Sequence, residues 1–402
     1  MSKNDPFCKI KYMQKKEMID LNFLNILKTM RKDDRGLSTI AFEKVGQAIN
    51  DWYKVIKQNN ISKAADMREE IEKTLPNMKE NQNVLIYFSL IDSRYKLMTE
   101  DYHESGELLN DIKAKALESN TDDLIQYYFY FFSGLYQFYR KNFVDAINFY
   151  KIAENRLHKV PDEIEKAEFH YQLAIAYYEI RQNFFSLSHA QKALDSFKAH
   201  EDYTNRVIKC KMLFAMNKVD LQEWDEAVDL YKDAILIANK TNDKATEGLG
   251  YFNLGLAYER QNLLEKAREC FQNALSIPEH RESVYSIRSM YMLSRVFYKT
   301  DSPSQARGWR IKALEFAEKV HENVYQAKLN LIYYLYDQSN HTYFDTSMNL
   351  LKEKNLWSDV ADLSENAAFF FKKQENTDLS SKYFEEACKA KDQILNLRRR
   401  IS

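Results

Sequence analysis

From residue 42 onward the spacing of apolar positions organises the chain. In F-E-K-V-G-Q-A-I-N-D-W-Y-K-V-I-K-Q-N-N, residues 42–60, the side chains Val45, Ile49, Trp52, Tyr53 and Ile56 fall on one helical stripe, and N-N-I-S marks a break. A second helix is expected from Ser62, as its N-cap, to about Met78. A third starts near Gln82 and carries Leu85, Phe88, Leu90 and Leu97 to about Tyr102. Three helices of that length predict a small bundle over 42–105.

Beyond residue 115 a long period takes over. In Y-F-N-L-G-L-A-Y-E-R-Q-N-L-L-E-K-A-R-E-C-F-Q-N-A-L, residues 251–275, the positions Tyr251, Leu254, Gly255, Tyr258, Ala267, Phe271 and Ala274 match the tetratricopeptide pattern. Its small residues belong where two helices of a hairpin cross closely. The last alanine recurs as Ala153, Ala193, Ala234, Ala274, Ala313 and Ala387, with Leu351 in the remaining place, at steps of 40, 41, 40, 39, 38 and 36 residues. Seven repeats are expected from about 120 to 397. The chain therefore divides into an N-terminal extension (1–41), the bundle (42–105), a linker (106–120), the repeats (121–397) and a tail (398–402). The fold class is all-α, a three-helix bundle followed by a right-handed repeat superhelix.

Composition agrees with helices throughout. The 402 residues hold 5 Pro and 8 Gly, where average usage gives roughly 20 and 28. Helix breakers are scarce, and 27 Tyr with 24 Phe supply large packing groups. A net charge of −1 gives no global attraction to nucleic acid or to an anionic membrane. Residues 1–40 are locally basic, with nine Lys/Arg against five Asp/Glu, and include a weakly amphipathic stretch at 17–30. Cys8, Cys210, Cys270 and Cys388 form no C-x-x-C pair, no signal peptide is evident, and no apolar run is long enough to span a membrane. A reduced, cytoplasmic chain is expected.

Familiar catalytic chemistry fails on spacing. The glycines of E-G-L-G-Y-F-N-L-G, residues 247–255, lack the spacing and the preceding strand of a nucleotide loop. The eight His form no H-x-x-x-H or H-E-x-x-H pair, so His158, His170, His189 and His200 read as surface or packing residues and no metal is expected. The basic end L-R-R-R-I-S, residues 397–402, reads as a solvated tail.

Two polar features remain. Gln82 stands in P-N-M-K-E-N-Q-N-V-L-I-Y-F, residues 76–88, and on periodicity alone it is a polar residue in the first turn of the third helix. Asn217 and Asp220 lie one turn apart on the first helix of one repeat, and Asn253 lies on the first helix of the next. First helices line the groove of a repeat superhelix, where an amide offers both a donor and an acceptor to the main chain of an extended peptide.

Four blocks in order then carry a resemblance covering about 42–397: V-G-Q-A-I-N-D-W-Y-K-V-I, M-K-E-N-Q-N-V-L-I-Y-F, Y-Y-F-Y-F-F-S-G-L-Y-Q-F and I-E-K-A-E-F-H. The chain resembles the Rap family of response-regulator aspartate phosphatases and anti-activators, whose members bind receiver domains through a helical bundle and sense Phr peptides through tetratricopeptide repeats. The resemblance implies that Gln82 matches the catalytic glutamine of the family's M-E-E-D-Q-D block. Glu80, Asn81, Asn83, Leu85 and Leu124 are then the accompanying receiver-binding candidates. Asn81 and Asn83, with Lys79, replace acidic residues of the family pattern.

The resemblance also implies that Asn217 and Asp220 match a G-N-x-x-D block and Asn253 an N-[IL]-G block that bind peptide, with Asp220 or Glu179 facing a basic residue of the ligand. The expected activity is hydrolysis of a receiver's aspartyl phosphate, of the sporulation phosphorelay type, inhibited by a short secreted peptide. It needs no cofactor of its own, because Mg²⁺ resides in the partner receiver. The alternative is a non-enzymatic anti-activator that sequesters a response-regulator transcription factor. A DNA-binding peptide sensor would need a helix-turn-helix domain that residues 1–40 are too short to supply.

Overall fold

A computed structural model of the chain describes residues 39–58, 60–118, 121–338 and 341–399. Most of the 1–41 extension, its 17–30 stretch included, and the end of the 398–402 tail lie outside the described residues. Among the described residues every regular element is helical, and β-type pairing is confined to an isolated parallel bridge between Ile40 and Met78. The chain divides into two compact units at Pro161/Asp162.

The first unit contains α1 (Phe42–Lys57), α2 (Ile61–Thr74), α3 (Gln82–Met98), α4 (Tyr102–Ala116), α5 (Asp123–Tyr139) and α6 (Phe143–Glu154). The apolar stripe of α1 is its core face: Ile49 and Trp52 are fully buried. The Trp52 indole stacks on Phe88 at 5.7 Å and donates its N–H to the carbonyl of Ala64 at 2.9 Å. Removing such a ring costs about 3–5 kcal/mol. Arg68 of α2 grips Asp92 of α3 through two bonds of 2.6 and 2.8 Å, fixing the two helices side by side.

Several sequence boundaries move. Asn60, not Ser62, caps α2, accepting from the N–H of Lys63 at 3.2 Å. That helix gives way at Thr74 to a 3₁₀ turn, Leu75–Asn77, because Pro76 cannot continue the ladder. α3 stops at Met98, short of Tyr102, with Glu100 in the left-handed region at φ 63°. The expected linker 106–120 is mostly helix: Asp101 caps α4 through the N–H of Glu104 at 3.3 Å, and Ser105 meets Ser93 of α3 at 2.8 Å. α5 packs with this unit through Tyr128, whose ring lies 5.7 Å from Tyr53 and 5.6 Å from Tyr87. The compact boundary therefore lies beyond the first repeat pair, not in the 106–120 segment.

The second unit contains α7 (Glu163–Glu179), α8 (Asn183–Lys198), α9 (Thr204–Asp220), α10 (Trp224–Lys240), α11 (Lys244–Arg260) and α12 (Leu264–Ser276). After a one-turn helix, α13 (Pro278–Arg281), come α14 (Ser286–Lys299), α15 (Pro303–Lys319), α16 (Asn323–Tyr336), α17 (His341–Glu353), α18 (Trp357–Lys373) and α19 (Thr377–Arg399). Successive helices form tetratricopeptide-type pairs. At Gly255 an added Cβ would lie 2.6 Å from the Phe271 ring, so the crossing of α11 and α12 admits only hydrogen there. Ala193, Ala234, Ala274 and Ala313 are fully buried.

The turn inside each pair is not made by glycine. Lys141, Arg181, Gln222, Asn262, Asp301 and Glu375 all have φ between 51° and 66°. Each is followed by an N–H that reaches back five residues, as from Gln182 to Tyr177 at 2.9 Å and from Glu223 to Lys218 at 2.9 Å. These turn residues precede Ala153, Ala193, Ala234, Ala274, Ala313 and Ala387 by the same 12 positions. Turn and crossing thus share one register.

Candidate functional site

In the first unit the chain approaches α3 in an extended segment. The N–H of Ile40 donates to Asn77 at 2.8 Å and that of Lys79 to Ile40 at 2.8 Å, so Met78 and Lys79 are pinned before the helix begins. Asn81 is the N-cap, its Oδ1 accepting from the N–H of Val84 at 3.2 Å. That bond takes the acceptor of Asn81 into the helix start. Gln82 is the first helical residue and is exposed, and its amide makes no hydrogen bond among the described residues.

The helix beneath Gln82 is firmly seated. Ile86, Leu90 and Ile91 are buried, and Tyr87 donates its hydroxyl proton to Asn50 of α1 at 2.7 Å. Glu80 and Asn83 are exposed beside Gln82. Leu85, expected on the core stripe, is 38% exposed, because the buried face of α3 runs through Ile86 and Leu90 instead. Leu124 is half-buried in the first turn of α5. Tyr87 and Tyr128 touch, so Gln82 and Leu124 each lie only about 6–8 Å along their helix axes from one shared contact, at 1.5 Å per residue.

In the second unit the expected peptide contacts separate. Asn217 is fully buried: its Nδ2 donates to Ser186 Oγ at 2.9 Å and to the Leu213 carbonyl at 2.8 Å. It ties α9 to α8, and only its Oδ1 lacks a partner among the described residues. The expectation that its amide is free to clamp a peptide from both ends does not hold in this structure. Asp220 is likewise engaged, with one oxygen on Arg181 and the other on Arg260 Nη1 at 2.7 Å. Asn253 is half-buried on α11 with no side-chain hydrogen bond among the described residues, and Glu179 is the exposed last residue of α7.

Arg181, Asp220 and Arg260 stand 39 and 40 residues apart, one repeat step each. They form a ladder of alternating charge along the ends of three successive first helices. The ladder lines a cavity of about 750 Å³ that Lys391 of α19 also borders, and of the four expected peptide contacts only Asp220 reaches it. Sequence reasoning missed Arg181, Arg260 and Lys391, although the repeat step already aligned the first two with Asp220.

Of the other histidines and cysteines noted in the sequence, His170 is half-buried and His189, Cys210 and Cys270 are buried, whereas His158 and His200 are exposed. His170 and His189 meet Nδ1 to Nδ1 at 3.0 Å, one ring donating to the other. Burial pushes both down, His170 to about 3 and His189 to about 4. Both are therefore neutral near pH 7. Burial also pushes the Cys210 and Cys270 thiols up to about 12, so neither is a nucleophile. Among the described residues no helix is long and apolar enough to cross a membrane.

Comparison with known proteins agrees with this arrangement. Residues 39–100 match the family described as response regulator aspartate phosphatase H, N terminal, and residues 210–280 match a tetratricopeptide repeat. The regulatory protein RapC of Bacillus subtilis (strain 168) is 33% identical over 87% of this chain and 94% of its own length. Response regulator aspartate phosphatase A of the same organism is 31% identical over 89% of this chain and 96% of its own. The crystal structure of a Rap protein complexed with competence and sporulation factor superposes with a TM-score of 0.81 at 29% identity, over 88% of this chain and 99% of that one. A bundle-type N-terminal match, repeats in register and relatives aligned over nearly their whole length place the chain in the Rap family.

Proposed function

We propose that the chain hydrolyses the aspartyl phosphate of a response-regulator receiver domain and that a short signalling peptide, bound in the second unit, inhibits it. The observation that carries the reading is Gln82, an exposed amide on the first turn of a helix whose far side is locked by Trp52, Tyr87 and Arg68. A receiver's phospho-aspartate is activated by that domain's own Mg²⁺, so the phosphatase has only to hold a water in line. A neutral amide does this by accepting one hydrogen bond from the water and donating another to the phosphoryl group. The unpaired N–H groups of the helix start favour the same anionic partner.

Leu85 and Leu124 supply apolar contact for the receiver, and Glu80, Asn81 and Asn83 surround the glutamine with polar groups. On the peptide side, Asn253 is the uncommitted amide, Glu179 an exposed acid, and Asn217 and Asp220 shape the repeat face through their bonds to neighbouring helices. A cytoplasmic location goes with these partners. Its relatives' names support the reading, one being a response regulator aspartate phosphatase.

A second reading, sequestration of a response-regulator transcription factor without hydrolysis, draws on the 33% identity to a relative named a regulatory protein. Mixing the chain with a panel of phosphorylated receivers and following phosphate loss, with and without candidate pentapeptides, separates the two. Accelerated loss supports hydrolysis; binding without loss supports sequestration.

A further inference from the structure

The connection from α2 to α3 runs through the 3₁₀ turn Leu75–Asn77 and a non-helical stretch to the cap Asn81. Of its side chains only Met78 is buried, while Pro76, Asn77, Lys79 and Glu80 are exposed. Its internal bonds are local: the N–H of Met78 donates to the Leu75 carbonyl at 3.1 Å, and Asn81 closes the first turn of α3 on Val84. A cap of this kind travels with its helix and fixes it to nothing else. Residues 39–41 provide the outside attachment. Ile40 pairs in parallel with Met78, its N–H donating to Asn77 and its carbonyl accepting from Lys79, both at 2.8 Å. Phe42 then opens α1, so the two bonds tie the connection to a helix whose Ile49 and Trp52 are fully buried. Lys79 stands three residues before Gln82, at most roughly 11 Å of chain.

Gln82 depends on that attachment more than the rest of α3 does. Its amide makes no hydrogen bond among the described residues, so its placement is inherited from the backbone beneath it. It is also the first helical residue, where N–H groups lack partners inside the helix and the turn frays most readily. The buried anchors of α3, Ile86, Leu90 and Ile91, begin only a full turn further on.

We infer that residues 39–41 are a positioning strap for Gln82: through the main chain of Ile40 they hold the start of α3 so that the glutamine meets the phosphoryl group in one geometry. This role rests on the hydrolysis reading above and adds Ile40 to that reaction as a positioning residue. Ile40 acts by its N–H and carbonyl, so another β-branched side chain serves in its place. An in-line water tolerates little error, since a misplacement of about 1 Å costs about 100-fold in rate. The receiver's grip is instead spread over several residues of α3 and α5. Loosening the strap therefore lowers the rate and spares the affinity.

The test compares the full natural chain with Ile40→Pro, which removes the N–H that bonds Asn77, and with Ile40→Val, which keeps it. Each is mixed with the phosphorylated receiver, from the panel above, that the natural chain dephosphorylates fastest. Single-turnover phosphate release at saturation and the Kd of the complex are recorded. Ile40→Pro should release phosphate at least about tenfold more slowly with Kd within about threefold, and Ile40→Val should match the natural chain in both. Amide hydrogen exchange, read by mass spectrometry without a receiver, should quicken at least about tenfold over 79–85 in Ile40→Pro and stay slow over 86–97. An unchanged rate in Ile40→Pro overturns the strap, and so does an equal fall in rate and affinity. Loss of protection over 86–97 also overturns it, because the bridge would then support the whole unit and not the glutamine. If the natural chain accelerates phosphate loss from no receiver, the hydrolysis reading falls and the positioning role falls with it.

Discussion

The start of α3 and the ladder at Arg181, Asp220 and Arg260 are both rich in polar residues, yet they use them in opposite ways. At α3 the capping work falls to Asn81, and the next side chain, Gln82, faces solvent without a partner among the described residues. Along the ladder, polar groups lie between successive repeats, where burial makes an unpaired charge costly, and Asp220 and Asn217 are bonded to their own chain. A helix start at a surface leaves chemistry available, whereas a repeat interface consumes it. Residues that match a binding motif in a repeat therefore have to be checked for partners one repeat step away.

The largest effect is expected at the exposed end of this comparison. Gln82→Glu keeps the size of the side chain but removes its donor and sets a negative charge against the phosphoryl group. Dephosphorylation should fall by about 100- to 1,000-fold, or about 2.7–4 kcal/mol in the barrier. An unchanged rate constant in a stopped-time phosphate assay would count against a role for the amide.

The next effect belongs to buried polar groups. His170 and His189 have folded pKa values of about 3 and about 4, against roughly 6.5 in the unfolded chain. The unfolded state therefore binds protons first as pH falls, so stability is full above about pH 6.5 and is lost from there down to about pH 3. Urea unfolding at pH 5 should show a loss of about 4 kcal/mol relative to pH 7.5, about 2 kcal/mol from each ring. His189→Phe should flatten that dependence; a dependence unchanged in the variant would assign it to other groups.

Two asparagines give the smallest and sharpest contrast. Asn217→Ala removes a buried bond and strands Ser186, costing about 1–3 kcal/mol of stability. Asn253→Ala breaks no side-chain hydrogen bond among the described residues and should stay within about 0.5 kcal/mol. Equal melting temperatures for the two variants would erase the distinction between a structural and an available amide.

Much of the fold was legible because the period is mechanical. Ala193, Ala234, Ala274 and Ala313 recur where helices cross, and Gly255 sits against Phe271, so the repeat register follows from side-chain size alone. The turns were less legible: Arg181 and Gln222 adopt left-handed backbone without being glycine, held by the hydrogen bonds that close each helix. The helix Tyr102–Ala116 escaped for a similar reason, since Glu100 and Asp101 end one helix and cap the next without a breaker. At the candidate site, position along the chain located Gln82 but could not tell that Leu85 faces outward while Ile86 faces in. Nor could it show that two arginines, each one repeat step from Asp220, had already taken its oxygens.

The most direct test of the central claim is a paired measurement on Gln82→Ala with one cognate phosphorylated receiver: the single-turnover rate of phosphate release and the Kd of the complex. A water-positioning group acts in the transition state, so the rate should collapse while the Kd stays within about threefold, under roughly 0.7 kcal/mol. Phosphate release by Gln82→Ala at the natural chain's rate, at saturating receiver, would contradict the account.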